Sequence, residues 1–366
     1  MRLLLVEPYY GGSHRHFLDD LIRHLPFDFS LLTLPPRAWK WRMRFAAPWC
    51  AAKLKELAEI PDAILCSTFI DVASLRGLGP DWLARTPIHI YFHENQFAYP
   101  VRQHDPRDVH FGLTNYLSAV AADSLAFNSA YNLTTFLAGC KMVEKRGAVD
   151  MKLSLRAEIA AKAQVLPVPL DFAQLDSLAA AEDDGPSGKS PVIVWNHRWE
   201  HDKNPEEFFS ALFRLADQGG DFKLIVLGQS FQGSPDIFAQ AKERLADKII
   251  HFGFAPDRAT YLALLKKGTI VVSTARHEFY GLAVLEAVRA GCHPLLPHRL
   301  SYPELFPAKY LYEGELLPAL AALLARGEGG LGRDERLRLT DHLSWQRLAP
   351  AYGRWLAAGA GRRPAC

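Results

Sequence analysis

Short apolar runs alternate with longer stretches of helical periodicity in the first half of the chain. Five such runs are predicted as strands, at residues 3–6, 29–34, 63–66, 88–92 and 124–127. The stretches between them predict helices near residues 14–24, 45–58, 108–122 and 129–137. Apolar strands that alternate with helices are typical of a parallel sheet covered on both faces.

The same alternation restarts after a polar segment that is predicted to be a flexible linker at residues 173–190. The second set of strands is predicted at residues 192–195, 222–227, 249–252, 270–273 and 293–296, with helices at 205–216, 235–245, 258–265 and 282–290. We therefore expect two Rossmann-like, doubly wound α/β domains, at residues 1–172 and 191–343. An aromatic-bearing helix at 344–366 is expected to cross back to the first domain. In such folds ligands bind at the carboxyl ends of the strands, so a cleft between the two domains is the expected site.

Composition excludes several classes of protein. Of the 366 residues 49% are hydrophobic and 22% charged, as in ordinary globular proteins, and the formal charge of +2 gives no strong attraction to nucleic acid or membrane. Five scattered cysteines without a CxxC motif argue against a disulfide framework or a structural zinc site and favour a reducing cytoplasm. There is no apolar run long enough for a membrane span and no secretory leader, so we expect a cytoplasmic protein.

Two glutamates eight positions apart, Glu278 and Glu286, follow the apolar run at residues 269–274. A helix is predicted to begin near Gly281, and helix N-termini favour anionic groups. The backbone amides of that N-terminus belong to Phe279, Tyr280, Gly281, Leu282 and Ala283. Two carboxylates that flank a cluster of amides suit the hydroxyls and phosphates of a nucleotide-sugar. The alternative is an ordinary strand–loop–helix unit with one solvated glutamate and one on the helix surface.

Two cations, Arg198 and Lys203, lie between a predicted strand and the following helix. Fixed cations at the mouth of a sheet can neutralise a diphosphate leaving group. The alternative is a pair of solvated loop cations.

Several glycines follow predicted strands. Gly11, Gly12 and Ser13 come after the first strand, and paired glycines allow backbone amides to approach a phosphate or sugar. Gly228, and Gly253 with Phe254, could contact a nucleobase. Ordinary turns would use the same residues, and no dinucleotide-binding GxGxxG fingerprint is present.

Four polar residues, His93, Glu94, Asn95 and Gln96, follow the fourth predicted strand. A histidine there could orient a hydroxyl of a substrate, and Glu94 could hold that histidine. The alternative, which stays open for the last three residues, is a set of buried polar groups that ties a loop together.

A segment at residues 39–44 interleaves Trp39 and Trp41 with Lys40, Arg42 and Arg44. Such a pattern suits stacking on RNA bases and contact with phosphates, although an amphipathic loop with a basic face would look the same. Arg102, His104 and Arg107 form a second small basic group.

Taken together, these motifs resemble those of the retaining GT-B glycosyltransferases with a Glu-x7-Glu element, and more narrowly those of the tRNA-queuosine mannosyltransferases. The shared segments are residues 10–14, 34–35 with 39–42, 91–96 with 99–101, 127–129, 197–203, 235–238, 273–279 and 302–307. The Glu-x7-Glu element is common to a large superfamily, whereas the tryptophan-rich and His-Glu-Asn-Gln segments are much narrower.

The resemblance implies a retaining transfer of mannose from GDP-mannose to queuosine in the anticodon of aspartate tRNA. It assigns the diphosphate to Arg198 and Lys203, the mannose to Glu278, the ribose to Glu286 and a place near the reacting centre to His93. The catalytic residues would be His93, Glu278, Arg198 and Lys203, and the donor would also contact Gly11, Gly12, Ser13, Gly228, Phe254, Phe279, Tyr280, Gly281, Leu282 and Glu286. The first domain would then face the acceptor and the second the donor.

Other functions remain open on the sequence. A GT-B glycosyltransferase acting on a small molecule, lipid or protein would share every donor residue, and a two-domain nucleotide-sugar epimerase would share the architecture. A non-catalytic RNA-binding protein is disfavoured by the joint presence of Glu278, Arg198 and Lys203, and a dehydrogenase by the missing fingerprint. No cofactor or essential metal is expected, because no Asp-x-Asp motif is present and fixed cations can replace a divalent ion.

Overall fold

The computed structural model describes residues 1–99, 109–147, 154–180, 190–231, 233–327 and 329–359. The chain divides into two compact units. The first unit comprises Met1–Pro169 and Trp345–Cys366, and the second comprises Leu170–Ser344. The basic group of Arg102, His104 and Arg107 and residues 181–189 of the predicted linker lie outside the described residues.

The first unit contains a parallel sheet with the strand order β2-β1-β3-β4-β5-β6 among its described residues. Its strands are β1 (Arg2–Glu7), β2 (Asp28–Thr33), β3 (Ala63–Ser67), β4 (Ile88–Phe92), β5 (Ser124–Phe127) and β6 (Ala163–Val165). Its helices are α1 (Gly12–His24), α2 (Trp39–Lys55), α3 (Val72–Leu78), α4 (Val109–Ala121), α5 (Ala130–Gly147) and α6 (Arg156–Ala161). The five strands predicted for this half are confirmed, and every residue of β3 and β4 is buried, as helices on both faces require.

The second unit repeats this architecture with the order β12-β11-β10-β7-β8-β9, again parallel. Its strands are β7 (Val192–Asn196), β8 (Lys223–Leu227), β9 (Ile249–Gly253), β10 (Ile270–Val272), β11 (His293–Pro297) and β12 (Leu311–Tyr312). Its helices are α7 (Ala173–Ala180), α8 (Pro205–Asp217), α9 (Ile237–Arg244), α10 (Arg258–Lys266), α11 (Leu282–Ala290), α12 (Tyr302–Leu305), α13 (Leu316–Ala325) and α14 (Arg333–Thr340). An aromatic cluster that includes Trp195, Phe208 and Phe238 fills the core beside β7.

The last described helix, α15 (Trp345–Ala357), packs on the first unit. The Tyr352 hydroxyl donates to the Pro167 carbonyl (3.1 Å), and the Trp355 indole donates to the Ser124 hydroxyl (2.8 Å). The predicted return of the C-terminal helix to the first domain is thus confirmed. No helix in the described part of the chain is long and apolar enough to cross a bilayer.

The structure differs from the prediction in several places, and five of its helices were not predicted: α3, α6, α12, α13 and α14. Residues 173–180, predicted as the start of the linker, form helix α7, because Leu175 is buried and Arg289 makes a two-pronged ion pair with Asp176 (2.7 Å for both bonds). Helix α2 begins at Trp39 rather than at residue 45, so the basic-aromatic segment is helical and not a loop. The short edge strands β6 and β12 were not predicted, since so few residues leave little periodicity to detect.

Candidate active site

A buried lysine and a glutamate meet where the strands of the second unit end. Lys203 closes a short 3₁₀ turn (His201–Lys203) after β7, and Glu278 lies between β10 and α11. The Lys203 Nζ donates to the His277 carbonyl (2.7 Å) and to Glu278 Oε2 (3.3 Å), and it lies 3.2 Å from Asp202 Oδ2. The structure therefore brings together two residues that were predicted separately from distant motifs.

Both members of this pair are charged at neutral pH. Burial on its own would raise the pKa of Glu278, but the Lys203 ammonium outweighs it and lowers the pKa to about 2. Burial would lower the pKa of Lys203, yet Glu278 and Asp202 raise it. Burial, followed by the Lys203 charge, lowers the pKa of the neighbouring His197 to about 4, so that imidazole is neutral.

Hydrogen bonds tie the two loops of this pair to each other. The Thr274 hydroxyl donates to the carbonyls of Lys203 and Asn204 (2.9 Å each), and the Arg276 amide donates to the Asp202 carbonyl (2.8 Å). Gly281 then begins α11 with a φ of +108°, a conformation that favours glycine. The arrangement fixes the Glu278 carboxylate directly before a helix N-terminus that has no side-chain cap.

Arg198 lies in the same loop as Lys203 but in a different environment. Its side chain is 53% exposed and pairs with Glu200 at 3.0 Å. Burial raises the pKa of Glu200 despite this pair. Arg198 is therefore the solvent-facing cation of this edge and Lys203 the buried one.

Glu286 belongs to a second cluster, on α11. Its carboxylate accepts hydrogen bonds from the Tyr261 hydroxyl (2.9 Å) and the Arg258 guanidinium (2.6 Å). Asn196, the last residue of β7, donates to Tyr261 (3.2 Å) and to the Ala283 carbonyl (2.7 Å). Glu286 is thus oriented from two sides, with part of its carboxylate exposed.

The remaining predicted donor residues of the second unit lie in different environments. Gly228 has a φ of +145°, and a Cβ atom there would lie 1.9 Å from the His197 carbonyl, so its role in packing two loops is clear. Phe279 and Tyr280 are buried, and the Tyr280 amide lies 3.4 Å from Glu278 Oε1. Phe254, directly after β9, is 69% exposed. Their contacts with a donor stay a prediction.

The first unit carries its own polar cluster at the carboxyl ends of β1, β3 and β4. His14 Nδ1 lies 2.9 Å from Glu7 Oε2, and its Nε2 lies 3.3 Å from Glu94 Oε2. The Ser67 hydroxyl donates to Glu7 (2.9 Å) and the Thr68 hydroxyl to Glu94 (2.8 Å). A histidine is therefore held between two carboxylates that are themselves hydrogen-bonded.

This cluster sets the charge states of two adjacent imidazoles. Burial would lower the pKa of His14, but Glu7 and Glu94 raise it to about 10. Burial and the positive His14 together hold the pKa of His93 well below its usual value, and the two rings lie 4.4 Å apart. His93 is thus a neutral imidazole that can exchange hydrogen bonds but carries no charge.

The glycines after β1 have separate roles. A Cβ atom on Gly11 would lie 2.4 Å from Pro36 Cγ, so this glycine is required by packing. Gly12, the first residue of α1, has a φ of +53° and open space around it, and Ser13 is exposed. Only the second glycine and Ser13 are accessible to a ligand.

For Asn95 the structure favours the alternative of a loop-tying residue. It is fully buried, donates to Asn132 Oδ1 (2.9 Å) and Thr135 Oγ1 (3.0 Å), and accepts from the Ala98 amide (3.0 Å). The amide of Gln96 donates to Asn115 Oδ1 (3.0 Å), which anchors the same loop.

Several site residues were missed by the sequence interpretation. They are Glu7, His14, Ser67, Thr68, Asn196, Asp202, Arg258 and Tyr261. Glu7, Ser67 and Asn196 each end an apolar strand, and a polar residue in that position was a usable signal, since parallel strands end at one edge of a sheet.

Comparison with known proteins places this fold in one class. Residues 179–316 match the family "Glycosyl transferases group 1". The chain also shares its fold with a UDP-forming alpha,alpha-trehalose-phosphate synthase from Burkholderia xenovorans, at a TM-score of 0.69 and 15% identity over 98% of this chain and all of that one (100%). The protein is a GT-B glycosyltransferase.

Within that class, the first unit indicates the family of the chain. Residues 2–170 match the family "tRNA-queuosine alpha-mannosyltransferase N-terminal". The tRNA-queuosine alpha-mannosyltransferase of Drosophila melanogaster is 38% identical over 316 residues, 85% of this chain and 83% of that protein. The chain belongs to the tRNA-queuosine alpha-mannosyltransferase family. A "GDP-mannose-dependent alpha-(1-6)-phosphatidylinositol dimannoside mannosyltransferase" of Mycobacterium tuberculosis is 25% identical over 46% of this chain and 44% of its own.

Proposed function

We propose that the protein transfers mannose from GDP-mannose to queuosine in the anticodon of aspartate tRNA, with retention of the anomeric configuration. The observation that carries the proposal is the match over the first unit, together with 38% identity to a named tRNA-queuosine alpha-mannosyltransferase. The first unit is the part of the chain in which this family differs from group 1 glycosyltransferases at large.

GDP-mannose as the donor is part of this proposal. One matching mannosyltransferase is described as dependent on GDP-mannose, whereas the trehalose-phosphate synthase with the same fold is UDP-forming. GDP-mannose is favoured because a mannosyltransferase needs an activated mannose.

In the second unit, Lys203 and Glu278 contact different parts of the donor. The ionised Glu278 accepts hydrogen bonds from mannose hydroxyls, and Lys203, Arg198 and the first amides of α11 stabilise the diphosphate as it departs. Removal of one such stabilising group typically raises the barrier by about 2.7–4 kcal/mol. The exposed part of Glu286 accepts hydrogen bonds from the ribose.

The transfer requires no nucleophile from the protein. The bond between the anomeric carbon and the phosphate oxygen breaks, a bond to the acceptor hydroxyl forms on the same face, and the departing phosphate takes the hydroxyl proton. In the first unit, we assign to His93 a hydrogen bond to a sugar hydroxyl, which a neutral imidazole can make in either direction.

Release of GDP tests both substrates together. GDP formation is followed with GDP-mannose, GDP-glucose or UDP-glucose as donor, and with aspartate tRNA that contains or lacks queuosine. We expect rapid release only with GDP-mannose and queuosine-containing tRNA. Equal release with both tRNAs would contradict the acceptor, and faster release from UDP-glucose would contradict the donor.

A further inference from the structure

Helix α2 presents two large aromatic side chains to solvent. Trp41 is 66% exposed and Phe45 is 61% exposed. They are one helical turn apart, and their rings lie 5.7 Å apart at an angle of 33°. Exposed aromatic side chains of this size, adjacent on one face, form an open platform for flat ligands.

Cations flank the platform on the same helix. Lys40 and Arg44 are also one turn apart, each directly before one of the two aromatics. Between Asp28 and Glu56 the sequence has six lysines and arginines and no aspartate or glutamate. This stretch is therefore basic in sequence, on a protein whose overall formal charge is only +2.

The platform is held in place by the side of the helix that faces the core. Met43, Ala47 and Cys50 are each 1% exposed. Lys40 Nζ lies 5.6 Å and the Arg44 guanidinium 5.2 Å from the centre of the Phe111 ring. Contacts of this kind restrain the two cations beside the aromatics.

Aromatic contacts connect this helix to the polar cluster at the ends of the strands. Trp39, the first residue of α2, lies 6.4 Å from Phe69, and Phe69 lies 5.2 Å from His14, measured between ring centres. Ring contacts through the buried Phe69 thus link the first residue of α2 to the His14 cluster.

We propose that this face of α2 binds the single-stranded loop of an RNA hairpin, with bases stacked on Trp41 and Phe45 and phosphates on Lys40 and Arg44. Aromatics with interleaved cations suit single-stranded RNA because every base has a flat face and every phosphate a charge. The inference rests on the proposed function, for which the hairpin is the anticodon arm of the acceptor tRNA.

Binding is measured by fluorescence anisotropy with a labelled anticodon stem-loop RNA that lacks queuosine, so that no transfer is required. Replacing Trp41 and Phe45 together by alanine raises the Kd on the order of ten-fold or more. Replacing Lys40 and Arg44 by alanine weakens binding and reduces the slope of log K against log salt by about 1.4, or 0.7 per phosphate contact. The matched control replaces Lys53 and Lys55, which lie at the other end of α2, and leaves both quantities nearly unchanged.

Three results would overturn the proposal. They are equal RNA affinity in all variants, an equal loss in the Lys53/Lys55 control, and conversion of a dimer to a monomer by the Trp41/Phe45 replacement in sedimentation, which would make a second copy of the chain the occupant. Unchanged affinity for GDP-mannose shows that each variant is folded. Wild-type protein that binds the loop as described but transfers no mannose would remove the proposed function and leave this surface in place.

Discussion

Lys203 and Glu278 are 75 positions apart in sequence and meet at 3.3 Å in the second unit. The lysine side chain is almost fully buried, whereas 20% of the Glu278 side chain is exposed. A buried cation next to a carboxylate that still reaches solvent can serve two parts of one donor, the diphosphate and the sugar.

Replacement of Glu278 by glutamine should lower kcat by about 100- to 1,000-fold, which is the usual cost of losing one electrostatic group in a transition state. Glutamine keeps the size of the side chain but cannot accept hydrogen bonds with a full charge. The exposed Glu313 offers a control, since Glu313→Gln should leave kcat unchanged. Steady-state kinetics with saturating donor decide the matter, and a kcat within three-fold of wild type would remove Glu278 from the reaction.

Replacement of Lys203 by methionine should destabilise the second unit by about 3 kcal/mol, because Glu278 and Asp202 are left without their cation. The double variant with Glu278→Gln should recover part of that loss without recovering activity. Urea unfolding measures both changes. Lys309→Met breaks an exposed pair with Glu335 and should cost far less, because water screens that pair. An equal loss at both lysines would show that burial of the pair is unimportant.

Replacement of Glu286 by glutamine should raise the KM for the donor on the order of ten-fold while kcat changes little, because a ribose contact is made equally in the ground and transition states. The exposed Glu243 on α9 provides the comparison variant. A drop in kcat at unchanged KM would instead place Glu286 at the reacting centre.

The Glu7–His14–Glu94 cluster predicts a pH-dependent contribution to stability. The pKa of His14 is raised from 6.5 to about 10, so the stabilisation is complete below pH 6.5 and is lost as the pH rises toward 10. The difference in free energy of unfolding between wild type and His14→Gln should therefore shrink by on the order of 4 kcal/mol between pH 6 and pH 9.5. His16→Gln, on the same helix but exposed, should show no such trend. A difference that grows with pH would mean that His14 is neutral in the folded protein.

Transfer should continue in excess EDTA, because Lys203 and Arg198 supply the positive charge that a divalent ion supplies elsewhere. The assay compares initial rates before and after dialysis against chelator, with and without added Mg²⁺ or Mn²⁺. Activity that disappears with chelator and returns with the ion would contradict this expectation.

Periodicity located most strands and helices because buried parallel strands are apolar throughout. It located the segment that contains Glu278 and Glu286 for the same reason, since that segment follows the buried strand β10. It missed α3, α6, α12, α13 and α14, placed the beginning of α2 six residues late, and assigned α7 to a linker, although the distant Arg289 pairs with Asp176 of that helix. A pattern of neighbouring residues carries no information about a contact with a residue that is distant in sequence.

Most side-chain pairs could not be predicted from the sequence. Arg198 and Lys203 were treated as equivalent cations, yet one is exposed and the other buried between two carboxylates. His93 was predicted without the charged His14 that lies beside it. Such relationships depend on which strand ends are neighbours in the sheet, and strand order was not predicted.

The central claim is tested most directly by the mass of the modified nucleoside. Aspartate tRNA containing queuosine is incubated with the protein and GDP-mannose, digested to nucleosides and analysed by liquid chromatography and mass spectrometry. The account predicts a hexose-sized gain in mass on queuosine, formed far more slowly by Glu278→Gln. Unmodified queuosine, with GDP-mannose bound or hydrolysed, would contradict it.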